Sequence, residues 1–333
     1  MSAVYLKAAQ DLAGDLAGVL AEDVERAEAV LASAVDSDYE LVAAIGKHIS
    51  EAGGKRLRPL FVALSARATG REYDPDRVAA LGACMEMIHM ATLIHDDVVD
   101  NADTRRGKPT ACSLYGNTAG ILTGDVLLAR AMELLAIDGD LEIIRMVSQA
   151  VVELATGEVM EVDSRGVFEL DEAHHMDILR RKTATFIASC CRSGAMAAGA
   201  EADVVDALGE YGEAVGMGFQ IADDLLDFRS TVSGKPRAID FREGCATLPL
   251  ILVRPQLTAD ETAYVRSKFG NGVVDSEVEQ VSAWMDERGA YAAAETRARG
   301  FADQAKAALD GLGPSPSKDL LAGLADLLIL RDF

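Results

Sequence analysis

The chain has 333 residues and a formal net charge of −22, from 54 acidic against 32 basic side chains. So acidic a surface repels a phosphate backbone, which excludes general nucleic-acid binding and makes any local cluster of cations conspicuous. Half the residues are hydrophobic but only 5 % are aromatic, with just eight prolines, a balance that favours helices and disfavours a sheet-built fold.

From Met1 to about Leu31 the sequence is an acidic amphipathic pattern with no basic leader and no unbroken apolar run, so it does not read as a signal peptide. Helical periodicity then continues, broken at turn-rich points near Gly70–Asp76, Asn101–Asn117, Asp138–Asp140, Ser164–Asp171, Ser230–Gly244, Pro255–Asp260 and Gly311–Ser317. These breaks predict about a dozen helices. Strand-type alternation, a domain-splitting linker and a repeat of roughly 20 to 50 residues are all missing, so the expectation is one all-α bundle domain over 1–333. No window looks close to the roughly 18 apolar residues of a membrane span, and the chain reads as soluble, with peripheral membrane contact left open. The cysteines Cys84, Cys112, Cys190, Cys191 and Cys245 are odd in number and lack metal-type spacing, which suits small buried residues in a reducing, cytoplasmic setting.

Charge is concentrated in a few places. Gly53-Gly54-Lys55-Arg56-Leu57-Arg58-Pro59 sets three cations in four positions at a Gly-to-helix junction, where backbone N–H groups and guanidinium forks bind anions. The plain alternative is a solvated surface loop. A helix expected from near Pro75 closes on Asp96-Asp97-Val98-Val99-Asp100, and another, from about Ala202 to Phe228, closes on Asp223-Asp224-Leu225-Leu226-Asp227. On a helix, carboxylates at i and i+4 share a face about 6 Å apart along the axis. Two such faces opposed across a cleft would repel each other, which predicts divalent cations and an anionic ligand; carboxylate and phosphate oxygens are the usual shell of Mg²⁺. Basic loops follow both clusters, Arg105-Arg106-Gly107-Lys108 after the first and Lys235-Pro236-Arg237 with Arg242 after the second.

In order along the chain, Gly54-Lys55-x-x-Arg58-Pro59, Leu93-Ile94-His95-Asp96-Asp97-Val98-Val99-Asp100 with Arg105-Arg106-Gly107, Lys182-Thr183, and Gly218-Phe219-Gln220-Ile221-Ala222-Asp223-Asp224-Leu225-Leu226-Asp227 resemble the trans-type isoprenyl diphosphate synthases. Gly116-Asn117, Gly124-Asp125 and Thr247-Leu248-Pro249 agree as well. Val98-Val99 and the run Tyr211–Phe228 are most similar to the long-chain octaprenyl, solanesyl and decaprenyl type that supplies quinone side chains. The resemblance implies helices around a deep central cavity, a homodimer, and a prenyltransferase that joins isopentenyl diphosphate to an allylic diphosphate, with diphosphate released at each step. It further implies three Mg²⁺ per active site with Asp96, Asp100 and Asp223 as the main ligands, Asp227 acting mostly through water, as Asp97 and Asp224 do. By the same resemblance Lys55, Arg58, His89 and Arg106 hold isopentenyl diphosphate, while Arg105, Lys182, Gln220 and Lys235 hold the allylic diphosphate. Thr183, Gln220 and the Lys182 carbonyl would aim oxygens at the developing cation. His89 lies seven residues before Asp96, on nearly the same helical face; without the motif a core histidine would be the better reading.

One position departs from the family pattern: Cys245 stands where a diphosphate-binding Lys is expected, with Arg242 or Arg237 as possible stand-ins. Ala91 and Thr92, five and four residues before Asp96, are small where short-chain relatives often carry aromatics, and Ile88, Met85 and Cys84 below them have no rings, so a long product is expected over a geranylgeranyl or farnesyl one. The leading rival of another class is a carboxylate-bridged di-iron bundle, suggested by Glu86-x-x-His89 and Glu172-x-x-His175.

Overall fold

The computed structural model describes residues 16–51, 56–105, 107–229 and 237–330. In chain order the helices are α1 (Leu16–Ala34), α2 (Glu40–Glu51), α3 (Leu57–Ala68), α4 (Pro75–Val99), α5 (Ala111–Tyr115), α6 (Asn117–Asp138), α7 (Leu141–Asp163), α8 (Glu172–Leu179), α9 (Thr185–Ala197), α10 (Ala202–Arg229), α11 (Ile239–Glu243), α12 (Leu248–Val253), α13 (Ala259–Lys268), α14 (Asp275–Glu287), α15 (Ala290–Ala308) and α16 (Pro316–Ile329). The fold is all-α, as expected, and the two helices that close on acidic pentapeptides begin and end where the sequence places them. Among the described residues the strands are limited to a two-residue antiparallel pair, β1 (Thr104–Arg105) and β2 (Lys108–Pro109), in a segment expected to be loop. The turn is tight enough to pair because Gly107 adopts φ 76°.

One compact unit comprises the described parts of Met1–Ser148 with Ser189–Gly209 and Gly311–Leu321. At its centre is α4, started by Asp74, whose side chain accepts the Asp76 N–H, and by Pro75 in the first turn. Leu81, Met85, Met87, Ile88 and Ile94 are buried around the whole circumference of α4, the pattern of a helix enclosed by others. It packs against α6, α3 and α1. A Cβ on Gly82 would lie 3.1 Å from the Pro59 Cα, so the glycine admits α3 at close range. By length and a mean hydropathy of 1.4, α4 could cross a membrane, which corrects the expectation that no window approaches a span. Glu86 and His89 interrupt its apolar run and disguise it; since 72 % of that window is buried inside the protein, its apolar surface is spent on the core.

The other unit comprises Gln149–Ala188, Glu210–Asp310 and the described part of Ala322–Phe333. Four aromatic rings anchor its core: Phe168 meets Phe269 edge-on at 5.6 Å, Phe269 meets Phe241 at 5.7 Å, and Phe241 meets Phe228 at 6.1 Å. A π turn, Arg180–Ala184, joins α8 to α9 and widens the helix by one residue at Lys182-Thr183. Two glycines let neighbouring helices press on that turn. A Cβ on Gly157 of α7 would stand 2.7 Å from the Lys182 nitrogen, and one on Gly216 of α10 would stand 2.5 Å from the Ala184 Cα.

Candidate active site

The first pentapeptide occupies the last turn of α4, with Asp100 as the C-cap residue. Carboxylates there face the negative end of the helix dipole, so the site favours an added cation. Asp96 is half-buried and Asp100 exposed, whereas Asp97 turns inward and is buried. Asp97 accepts a 2.6 Å hydrogen bond from Arg105 Nε, a guanidinium supplied by the hairpin eight residues on. Through this one nitrogen Arg105 is tied to the acidic cluster itself. Behind the cluster, His95 sits 3.5 Å from Asp125, and its ring fits only because Gly124 has no Cβ: one there would be 2.4 Å from Nε2.

Beside it on α4, a cavity of about 40 Å³ is lined by Arg56, Glu86, His89, Leu93, Asp97 and Arg105. His89 is brought to the same cavity as Asp97 and Arg105. The buried Arg56 donates to Glu86 at 3.0 Å, to Glu28 at 3.2 Å and to the Ser50 carbonyl at 3.1 Å, and holds its own backbone at φ 49°. It was the one cation of the Lys55–Arg58 run given no role by sequence; Glu86, three residues before His89, was the available signal. Arg58 keeps a buried Nε with no hydrogen-bond partner, as a donor waiting for an anion would.

In the second unit a cavity of about 250 Å³ is lined by Lys182, Gln220, Asp223, Asp240, Cys245 and Thr247, among others. Lys182, Gln220 and Asp223 are brought together as expected; Thr183 lies half-buried in the π turn and is not part of this lining. Lys182 Nζ is 2.9 Å from Glu158 and also pairs with Glu161. Burial works to lower the Lys182 pKa, but the charges of Glu161 and Glu158 outweigh it and hold the ammonium above its ordinary range. Asp224 is buried and accepts from His175 Nε2 at 2.8 Å and from the Leu248 N–H at 3.2 Å. Asp227 spends both carboxylate oxygens on backbone N–H groups, Ile239 at 2.9 Å and Asp240 at 3.2 Å, so it fastens the returning chain and does not line the cavity.

Burial, with the charges of Asp227, Asp224, Glu161 and Glu243 around it, pushes the Asp240 carboxyl well above the usual carboxylate range. Burial also raises Asp227, although the Ile239 and Asp240 N–H groups pull the other way. Among the described residues lining this cavity, Glu161, Asp223, Asp224 and Asp240 face one lysine, an environment that favours added cations. The donors are carboxylate oxygens, the hard ligands that Mg²⁺ prefers. Among the described residues no group of three His, Cys, Asp or Glu side chains converges to hold a metal ion.

Cys245 lies on the cavity wall where a Lys was expected. Burial and the charges of Glu161 and Asp240 push its thiol up to about 12, with Arg165 the opposing cation. Neither proposed stand-in is available: Arg242 donates to the carbonyls of Arg237 and Val273 and pairs with Asp275, and Arg237 donates to the Phe228 carbonyl at 2.8 Å. Lys55, Arg106 and Lys235 lie outside the described residues. The di-iron alternative fails on its ligands, since Glu86 is paired with Arg56 and Glu172 is gripped by Arg297 at 2.8 and 2.9 Å.

Residues 39–285 match the family described as polyprenyl synthetase. The octaprenyl diphosphate synthase of Escherichia coli is 34 % identical over 314 residues, covering 94 % of this chain and 97 % of the relative. Among solved structures, a decaprenyl diphosphate synthase from Rhodobacter capsulatus superposes with a TM-score of 0.90 at 35 % identity, covering 95 % of this chain and 98 % of that one. A polyprenyl synthase from Caulobacter crescentus, complexed with calcium and isoprenyl diphosphate, reaches 0.89 at 33 % identity and covers 98 % of both chains. With both acidic motifs at helix ends, a lysine and a glutamine beside the second, and similarity along nearly its whole length, this chain belongs to the polyprenyl synthetase family.

Proposed function

We propose that the whole chain works as one prenyl synthase domain, elongating an allylic diphosphate by repeated head-to-tail condensation with isopentenyl diphosphate to a long-chain all-trans polyprenyl diphosphate, of the kind that becomes a quinone side chain. The observation that carries this reading is the second-unit cavity, where Lys182, Gln220 and Asp223 meet in a chain similar over nearly its whole length to octaprenyl and decaprenyl synthases. Asp96, Asp100 and Asp223 would hold the divalent ions, three Mg²⁺ in this reading; bound Mg²⁺ supplies the positive charge that stabilises diphosphate as it leaves. The calcium in the Caulobacter crescentus complex supports divalent-metal use.

Lys182 neutralises the allylic diphosphate, and Gln220 presents its side-chain oxygen to the developing cation. Arg58 and His89 hold isopentenyl diphosphate, the buried unpartnered Nε of Arg58 being the support for its part. The released diphosphate can take the final proton, so no protein base is required. We also propose a homodimer, supported by exposed valines at 152, 159 and 162 along one stripe of α7, and a cytoplasmic setting, supported by five free cysteines, with membrane contact limited to product release.

The decisive assay incubates the protein with isopentenyl diphosphate, Mg²⁺ and each allylic primer from C5 to C20, and reads product length by chromatography. Asp96→Ala and Asp223→Ala should each cut turnover on the order of a hundredfold or more while the fold persists. Near-normal turnover in either variant would overturn the mechanism.

A further inference from the structure

Each acidic pentapeptide has a second aspartate that turns inward, Asp97 in one and Asp224 in the other, and each is 6 % exposed. A buried carboxylate needs a donor, and the two motifs obtain theirs differently. Asp97 uses Arg105, from the hairpin that follows its own helix. Asp224 uses His175, which comes from α8 and is itself 5 % exposed. The same oxygen of Asp224, Oδ2, also receives the Leu248 N–H from the start of α12. One carboxylate oxygen thus joins three elements of the second unit, and His175, Asp224 and Thr247 all border the cavity that holds Lys182, Gln220 and Asp223. His175 stands seven residues before Lys182 on a helix that runs into the π turn, so its grip on α10 also fixes where that turn sits beside Asp223.

We propose that His175 is the positioning residue of the second acidic motif: by holding Asp224 inward it sets the direction in which Asp223 and Gln220 face the allylic diphosphate. The inference rests on the proposed prenyl transfer for the identity of the ligand. A residue of this kind, acting one bond behind the groups that touch ligand, shifts affinity by about ten- to hundredfold when removed. Its effect is confined to the allylic diphosphate, because the isopentenyl diphosphate residues Arg58 and His89 belong to the other unit.

The test uses the full chain with His175→Leu and His175→Gln, steady-state kinetics for both substrates, and calorimetric binding of inorganic diphosphate in Mg²⁺ buffer. His175→Leu should raise the allylic KM and the diphosphate Kd about tenfold, leaving the isopentenyl diphosphate KM within about twofold. His175→Gln, which still carries an N–H donor, should recover most of the loss. In an Asp224→Ala background, His175→Leu should add less than about twofold, since its partner is gone. Equal rises in both KM values, unchanged diphosphate binding, or a lowered Tm as the sole effect in His175→Leu would overturn the proposal, and so would a His175→Gln variant no better than His175→Leu. A parent protein that binds diphosphate with Mg²⁺ but condenses nothing would instead overturn the prenyl transfer reading, and the binding arm would still decide the role of His175.

Discussion

At Cys245 a thiol faces the second-unit cavity, which is proposed to take the allylic diphosphate, with Glu161, Asp240 and Glu243 acting on it and Arg165 the countervailing charge. A thiol pushed up to about 12 is neutral at physiological pH, so the position contributes nothing to holding diphosphate. Cys245→Lys should therefore lower the allylic KM severalfold, about tenfold if the new ammonium meets the ligand directly; an unchanged or higher KM would show that the site needs no further cation. Glu86 carries the complementary lesson. It is buried, one of its oxygens bonds Arg56, and the other is buried without a partner. Removing the Glu86 charge leaves Arg56 with Glu28 and the Ser50 carbonyl, so Glu86→Gln should cost about 1–3 kcal/mol in chemical denaturation. Because Arg56 lies two residues before Arg58, the same variant should raise the KM for isopentenyl diphosphate. Sequence marked both positions, but as a missing lysine and as half of an iron-binding pair; what each side chain touches could not be read from spacing.

At the scale of elements, the π turn and its two glycines are the least forgiving structure near the candidate site. Gly216→Ala would drive a methyl against the Ala184 Cα at 2.5 Å, backbone rather than a side chain that can swing away. Overpacking of this kind costs about 1–3 kcal/mol, and the turn should also move Lys182. The expected result is a lower Tm with turnover falling further than stability alone explains, measured at a temperature where the variant remains folded. Helix α4 shows how burial refines a sequence inference. Ala91, 2 % exposed, is packed in the first unit, and it stands about 140° around the helix from Asp96; Thr92 is half-buried and only about 40° from it. Thr92→Phe should thus shorten the product with little loss of stability, while Ala91→Phe should shorten it only at a cost of about 1–3 kcal/mol. Chromatography of the products beside melting curves separates the two. The ends of α4 and α10 were legible because their stop signals are local, whereas the π turn was not, since it depends on what presses against it from α7 and α10.

For the molecule as a whole, the apolar stripe of α7 sets the expectation for assembly. Val159 is 68 % and Val152 56 % exposed, one face of a helix seven residues apart. On the proposed homodimer, the parent should sediment as a dimer and Val159→Lys as a monomer; a monomeric parent would overturn the homodimer, and an unaltered dimer would place the interface elsewhere. The acidic composition, the helical periodicity, both pentapeptides and the order of the cationic motifs were determined by sequence alone, and with them the fold class and the expectation of divalent cations with an anionic ligand, because these follow from local spacing and residue type; the prenyl-transfer reading came from the resemblance that the ordered motifs carry. Tertiary structure alone decided which charges are spent within the protein. Arg105, Arg56, Arg242, Arg237, Asp224 and Asp227 are engaged by partners up to dozens of residues away, and Lys182, which lines the cavity with Asp223 and Gln220, is itself paired with Glu158 and Glu161. A buried charge must be satisfied by whatever the fold brings to it, and that neighbour is set by packing, not by position in the chain.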